Sequence, residues 1–198
     1  MCAIVGFISK NPNANSIMTL KRLFFESKIR GMHAYGYTAL GKTLKTKKSH
    51  SLKELIESID KPNILIGHCR YSTSGDYLNH DNNQPLSFQD EHLVFNGVID
   101  MRTKPEMEKA YGIKMNSDND GEIMLQSPDR LGLLQSHISF AGILLKDKKM
   151  TVMRNANRPA YMAVKHDAVY IGSTADILRR ALLDPQPLEP NKEYEWAV

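Results

Sequence analysis

The chain opens with an apolar run that predicts a buried strand at its very terminus. Residues Cys2 to Ser9 form a short run, apolar and rich in branched side chains, and a turn-forming Asn11-Pro12-Asn13 follows it. A continuous apolar run of this length, bounded by turn residues, is typical of a strand that is buried on both faces. We therefore expect the first strand of the fold to begin at the chain terminus.

The rest of the chain mixes helical and strand-like patterns. Helical spacing predicts helices from the late teens to Lys28, over 52–59, from 118–122 through Leu125 toward Leu134, and over 175–183. Strand-like runs lie at 37–40, 63–70, 92–99, 138–145, 150–153, 161–164 and 169–171. Two sheets with helices on the outside account for this order, although the pattern alone allows other α+β arrangements.

Length and charge describe an ordinary globular domain. The 198 residues, of which 41% are hydrophobic, suffice for one sizeable core, and we expect one domain or at most two small ones. The net charge of +4 is a weak bias, and much of it comes from the lysines between Lys42 and Lys53. No aromatic residues are interleaved there, which favours a solvated loop and strand edge over a nucleic-acid site.

Cysteine usage and the first segment indicate a cytoplasmic protein. Cys2 and Cys69 are too few for a disulfide framework, and no Cys/His spacing resembles a metal site. The first segment lacks a basic region and turns polar at Ser9, unlike a signal peptide, and no apolar run approaches membrane-spanning length. The sequence also lacks a P-loop or dinucleotide fingerprint, so we expect no metal, no cofactor and no membrane contact.

Cys2 offers a nucleophile and a base within one residue. If Met1 is removed, the Cys2 thiol shares its residue with a free α-amine. Such an amine titrates at about 7.7 to 8.0 and a free thiol at about 8.5, so the amine can accept the thiol proton near neutral pH. The alternative is a small residue that merely follows the initiator, and only partners elsewhere in the chain can decide between the two.

Asn96-Gly97 directly follows an apolar run and has two interpretations. In isolation an Asn-Gly pair at this place favours a hairpin turn. Alternatively, the Asn96 side-chain amide and the Gly97 N–H form a pair of donors able to hold a developing oxyanion. Glycine at the second position would permit close approach of the backbone.

Three charged residues are candidates for substrate or nucleophile contacts. Arg70 ends a strand and is followed by hydroxyls and Gly75, which suits bidentate binding of a carboxylate as well as an exposed ion pair. Asp120 is a helix cap in the simpler interpretation and could equally bind a substrate ammonium. Arg30 before Gly31 marks a helix end, or else a charge that favours a thiolate nearby.

Taken in order, these motifs resemble the class II, or N-terminal-nucleophile, glutamine amidotransferases. The resemblance is strongest to the glutaminase domains of amidophosphoribosyltransferase and glucosamine-6-phosphate synthase, and it covers nearly the whole chain. Weaker versions of two family strands follow at 154–159 and 170–173. The motifs are Cys2, Arg30-Gly31, the run from Gly67 to Gly75, Asn83-Gln84-Pro85, Asn96-Gly97 and Asp120-Gly121-Glu122.

The resemblance implies a fold, a reaction and a set of roles. The family fold is a four-layer αββα sandwich of the N-terminal-nucleophile hydrolase type. The Cys2 thiolate would attack the carboxamide of glutamine, ammonia would leave, and water would hydrolyse the resulting thioester to glutamate. Asn96 and Gly97 would hold the oxyanion, Arg30 would support the nucleophile, Arg70 with Thr73 and Ser74 would bind the α-carboxylate, and Asp120 would bind the α-ammonium.

Three positions depart from the family pattern. His33 stands where the family has Asp, Gly121 replaces a small hydroxyl residue, and Ser74 stands where some members have His. We interpret His33 as a satisfied core residue and still expect activity. The alternatives are a catalytically silent domain that binds glutamine or serves in assembly, and an amidase for another amide, which would not need Arg70 and Asp120.

The family normally joins its glutaminase to a synthase domain. We expect residues 1–198 to form a single glutamine amidotransferase type-2 domain without a synthase domain. The ammonia would then pass to an acceptor on a separate partner protein, and an oligomer is compatible with the sequence.

Overall fold

The computed structural model describes residues 1–72 and 75–198. The first third of the chain alternates strands with two helices, and a 3₁₀ turn over Lys28–Arg30 directly follows the first helix. These elements are β1 (Ala3–Ser9), α1 (Ala14–Ser27), β2 (Ala34–Leu40), β3 (Leu44–Ser49), α2 (Leu52–Glu57) and β4 (Ile64–Arg70).

A second 3₁₀ turn over His80–Asn82 leads into the rest of the chain. The middle holds β5 (Leu86–Phe88), β6 (Glu91–Val98), α3 (Lys104–Tyr111), α4 (Gly121–Gln126) and α5 (Arg130–Gln135). The last third holds β7 (Ser139–Lys146), β8 (Lys149–Arg154), β9 (Tyr161–Lys165), β10 (Ala168–Gly172), α6 (Ala175–Arg180), β11 (Gln186–Pro187) and β12 (Glu193–Ala197).

The strands form two antiparallel sheets. A seven-stranded sheet has the order β11-β9-β10-β1-β4-β2-β3, and a five-stranded sheet has the order β12-β8-β7-β6-β5. The N-terminal strand β1 lies in the interior of the larger sheet, between β10 and β4. The predicted buried strand at the chain terminus is therefore confirmed.

Side-chain alternation along β1 shows how the layers stack. Ala3, Val5 and Phe7 pack with the helices α1, α2 and α6, whereas Ile4 and Ile8 face the other sheet. The smaller sheet turns its inner face to β1 through Val94 and Ile143 and packs its outer face on α3, α4 and α5. The fold is thus a four-layer αββα sandwich, the arrangement that the resemblance implies.

Several local expectations hold and others need correction. Asn13 caps α1 in a reciprocal capping box with Ser16, as the asparagines ahead of it indicate. The predicted helix from 118–122 toward Leu134 is two helices, α4 and α5. They are interrupted at Ser127-Pro128 because proline disfavours a helical residue before it. Asn96-Gly97 lies inside β6 rather than in a hairpin turn, so that alternative is wrong.

The lysine-rich segment and one helix add detail that the patterns lacked. Much of the lysine-rich segment forms β3, at the edge of the larger sheet. Helix α3 was not predicted, although Thr103 and Glu106 form a capping box and Pro105 lies in its first turn. Among the described residues, no helix is both long and apolar enough to cross a membrane.

Candidate active site

The predicted nucleophile and the predicted carboxylate clamp lie side by side. The register of β1 and β4 pairs Ala3 with Cys69 and Ile4 with His68, so its continuation by one residue places Cys2 opposite Arg70. Ile4 faces the inner layer between the sheets, and alternation gives Cys2, His68 and Arg70 the same direction. The start of β1 and the end of β4 therefore project Cys2, His68 and Arg70 into the inner layer.

Asn96 enters the same layer from the facing sheet. Val94 belongs to the inner core, and Asn96, two residues further along β6, points the same way. The Asn96 side chain is 2% exposed, and its Nδ2 has no hydrogen-bond partner among the described residues. A buried amide donor without a partner is costly, which marks this group as one that a ligand can satisfy.

The backbone of Gly97 is also available beside Asn96. Phe140, its partner on β7, uses its N–H and C=O for Asn155, at 3.2 Å and 2.9 Å. In an antiparallel pair this turns the Gly97 N–H away from β7. A Cβ at Gly97 would collide with the Ser139 carbonyl oxygen, so only glycine fits here. The two predicted oxyanion donors are thus adjacent and oriented by the sheet.

The Cys2 thiol is held in its protonated form by its surroundings. Cys2 Sγ lies 3.5 Å from the Tyr71 carbonyl oxygen. Burial raises the pKa of the Cys2 thiol, and the Tyr71 backbone, the chain's terminal ammonium, Arg70 and Arg30 act in the opposite direction. A thiol that rests protonated needs a base before it can act as a nucleophile.

Arg30 reaches the nucleophile through its backbone. Arg30 Nε donates to the Cys2 carbonyl oxygen at 2.9 Å, and Gly31 lets this segment approach the backbone of Cys69 and Arg70. Burial lowers the pKa of Arg30, and the nearby guanidinium of Arg158 adds to this effect. Arg30 therefore places a positive charge beside Cys2 and anchors its backbone, whereas the prediction is a charge that favours the thiolate.

Arg70 is buried and held by polar groups from the following loop. Its side chain is 5% exposed, and it donates to Asn83 Oδ1 at 2.5 Å and to the Gly75 carbonyl oxygen at 3.3 Å. Burial lowers its pKa, while Cys2 and Asp76 act in the opposite direction. The predicted clamp residues Thr73 and Ser74 lie outside the described residues.

Asp120 lies at the same end of β6. Its Oδ2 accepts hydrogen bonds from the backbone N–H groups of Ile99 at 2.6 Å and Asp100 at 3.1 Å. It does not cap α4 with its side chain. Burial raises the pKa of Asp120 despite these two donors, which indicates a carboxylate that a cation would stabilise. A cleft of about 650 Å³ is lined in part by Ile99 and Asp100, whose N–H groups donate to Asp120.

Three residues of the site had no role in the sequence prediction. Asn83 orients Arg70, and Arg158 contacts the Met1 sulfur at 3.8 Å, next to Arg30. His68 lies in the inner layer, where burial and Arg70 lower its pKa to about 3 and the Phe95 backbone acts in the opposite direction. The motifs that contain His68 and Asn83 carried a signal, whereas nothing in the sequence placed Arg158 near Cys2.

The described residues contain no group of three or more His, Cys, Asp or Glu side chains that could hold a metal ion. At this end of the sheets lie instead a thiol, two guanidiniums, an amide and a carboxylate. Such a set can bind both ends of an amino acid and attack an electrophile between them.

Comparison with solved structures defines the class. Glutamine phosphoribosylpyrophosphate amidotransferase from B. subtilis, in complex with ADP and GMP, matches with a TM-score of 0.76 at 18% identity. This match covers 99% of this chain and 49% of that chain. A glutamine aminotransferase class-II domain protein from Silicibacter pomeroyi matches with a TM-score of 0.60 at 8% identity and covers 99% of both chains. The chain has the fold of the class II, N-terminal-nucleophile glutamine amidotransferase domains, which confirms the predicted resemblance.

A curated protein is similar in sequence as well. Glutamine–fructose-6-phosphate aminotransferase (isomerizing) from Shewanella oneidensis is 28% identical over 132 residues, which cover 63% of this chain and 21% of that protein. This chain therefore spans about a fifth of that curated relative and about half of the B. subtilis enzyme. No family model matches the chain.

Proposed function

We propose that this protein hydrolyses glutamine to glutamate and ammonia with Cys2 as its nucleophile. The observation that carries the proposal is the buried amide of Asn96, whose Nδ2 has no hydrogen-bond partner among the described residues and which faces the layer into which Cys2 and Arg70 project. An oxyanion formed at Cys2 would supply the acceptor that the Asn96 donor lacks.

The first step uses the chain's own terminus. Removal of Met1 would free the α-amine of Cys2, which accepts the thiol proton as the sulfur attacks the glutamine carboxamide. The negative charge that develops on the carbonyl oxygen is stabilised by the Asn96 amide and the Gly97 N–H. The amine then returns its proton to the leaving nitrogen, and ammonia departs from a γ-glutamyl thioester.

Water completes the reaction. The α-amine takes a proton from a water molecule, which attacks the thioester carbonyl, and the oxyanion forms again at the same two donors. Collapse of this intermediate breaks the C–S bond and releases glutamate, with the proton returning to the thiolate.

Two charged residues define an amino-acid substrate. The Arg70 guanidinium is held by Asn83 and would bind the α-carboxylate through charge-assisted hydrogen bonds. The α-ammonium would lie at Asp120, where its charge would offset the burial that raises the pKa of that carboxyl. These contacts favour glutamine over an amide that lacks the amino-acid group.

The two cysteines give a matched test. We expect the Met1-processed protein to release glutamate from glutamine and to gain mass at Cys2 with a glutamine-like electrophile. Cys2→Ala, and a form that retains Met1, should lose glutamate release by about four orders of magnitude or more. Cys69→Ala should keep both reactions, because Cys69 is buried and burial raises the pKa of its thiol.

Two outcomes would refute this proposal. One is undiminished glutamate release by Cys2→Ala or by the form that retains Met1. The other is a processed wild-type protein that neither releases glutamate nor reacts at Cys2, which would favour a silent binding domain.

We further propose that the ammonia passes to an acceptor on a partner protein. The names of both relatives pair glutamine with a second substrate, which is a sugar phosphate in one case and phosphoribosylpyrophosphate in the other. With glutamine labelled at its amide nitrogen, adding the partner should move the label from free ammonia into the partner's product. If candidate partners encoded by neighbouring genes never take up the label, this extension is wrong.

A further inference from the structure

His33 lies in a sandwich of aromatic rings beside the site. Its imidazole stacks on Tyr71 with ring centres 4.8 Å apart and an interplanar angle of 27°. On its other side it stacks on Tyr77, again at 4.8 Å, with an angle of 24°. His33 therefore bridges the two sides of the loop that follows Arg70.

The same residue forms two hydrogen bonds to the start of this loop. The His33 N–H donates to the Arg70 carbonyl oxygen at 3.0 Å, and the Ser72 N–H donates to His33 Nδ1 at 2.9 Å. Because Nδ1 accepts, the neutral ring carries its proton on Nε2. An aspartate at this position would accept as well, but it could not stack between two tyrosines.

The Tyr71–Ser72 peptide connects His33 to the nucleophile. Its N–H is held by His33 Nδ1, and its carbonyl oxygen lies 3.5 Å from Cys2 Sγ. A trans peptide unit is planar, so fixing the direction of the N–H fixes the direction of the C=O. His33 thereby orients the oxygen that receives the thiol hydrogen bond.

Other contacts hold the far side of the sandwich. The Tyr77 carbonyl oxygen accepts from Asn83 Nδ2 at 2.8 Å and lies 3.0 Å from His50 Nε2. Asn83 also accepts from Arg70, the predicted substrate clamp. The ring sandwich therefore links the nucleophile side of the loop to the arginine side.

We propose that His33 is a positioning residue for glutamine hydrolysis, acting through the Tyr71–Ser72 peptide on the Cys2 thiol. This inference rests on the proposed glutaminase function. The effect of His33 depends on the acceptor at Nδ1. The rings of Tyr71 and Tyr77 hold the imidazole in place, and its Nδ1 orients the Tyr71–Ser72 peptide.

Two substitutions separate the acceptor from the ring. His33→Asn replaces Nδ1 with an amide oxygen that can accept from Ser72, and it removes the ring. His33→Phe keeps a stacking ring and removes the acceptor. We expect His33→Phe to lower kcat/KM for glutamine by about tenfold, the order of one lost hydrogen bond, and His33→Asn to stay within about threefold of wild type. Hydrogen exchange at the Ser72 amide should accelerate in His33→Phe and stay slow in His33→Asn.

The relative kcat/KM values of the two variants test the proposal. If both variants fold and His33→Phe equals or exceeds His33→Asn in kcat/KM, or if its Ser72 amide stays protected, the ring alone matters and the proposal is overturned. A wild-type protein that hydrolyses no glutamine overturns the glutaminase proposal, and the role of His33 with it. A normal wild-type rate with the wrong variant order overturns only the role of His33.

Discussion

The two ends of β1 face the same inner layer and differ in what they place there. At its far end Ile8 packs with apolar side chains of both sheets and is 5% exposed. At its near end the layer holds Cys2, His68, Arg70 and Asn96, and two of these side chains contain buried polar atoms without hydrogen-bond partners among the described residues. The far end holds the sandwich together, whereas the near end keeps buried polar groups that cost stability.

Among the substitutions at the two ends of this layer, Asn96→Ala should have the largest effect on activity. The variant removes one of two proposed oxyanion donors, and loss of one such donor costs about two to three orders of magnitude in kcat. Because Asn96 Nδ2 has no partner among the described residues, its removal should leave the protein as stable as wild type or more stable. Steady-state glutamate release and thermal unfolding measure the two effects.

Ile8→Val is the matched control at the apolar end of the same layer. It should cost about 1 kcal/mol of unfolding free energy, as removal of one buried methylene group does, and leave kcat unchanged. An unchanged kcat in Asn96→Ala would remove Asn96 from the mechanism. A large loss of kcat in Ile8→Val would show that packing at the apolar end also affects catalysis.

Local pattern predicted the strands better than the site. The apolar run of β1 and the alternation of β6 depend on neighbours in sequence, and both strands lie within one or two residues of their predicted bounds. The interruption between α4 and α5 was missed, although Pro128 disfavours a continuous helix.

The site residues come together through the pairing register of distant strands, which the sequence of a single segment does not specify. The resemblance assigned roles to Cys2 and Arg70, but only the pairing of β1 with β4 brings them together. His33 was expected to be a satisfied core residue. It is instead half-buried, and its contacts come from residues about 40 positions further along the chain, which periodicity cannot reveal.

His68, at the polar end of the layer, should have a smaller effect. That effect is a pH dependence of the unfolding free energy. Its folded-state pKa is about 3, against 6.5 for an ordinary histidine, because burial and Arg70 oppose its charge. Below about pH 6.5 the unfolded chain binds a proton that the folded protein does not, so folding becomes less favourable as the pH falls toward 3. Between about pH 7.5 and about pH 5 this histidine should lower the unfolding free energy by about 2 kcal/mol.

His68→Gln should remove that part of the acid sensitivity. The difference in unfolding free energy between the variant and wild type should shift by about 2 kcal/mol in favour of the variant over this range, as measured by denaturant titration at both pH values. Ile66→Val, two residues earlier on the same face of β4, should cost a similar amount at both pH values, because it removes packing and no titrating group. If His68→Gln and Ile66→Val showed the same pH dependence, His68 would not be neutral in the folded protein. The polar end of the layer would then hold a further charge beside Arg70.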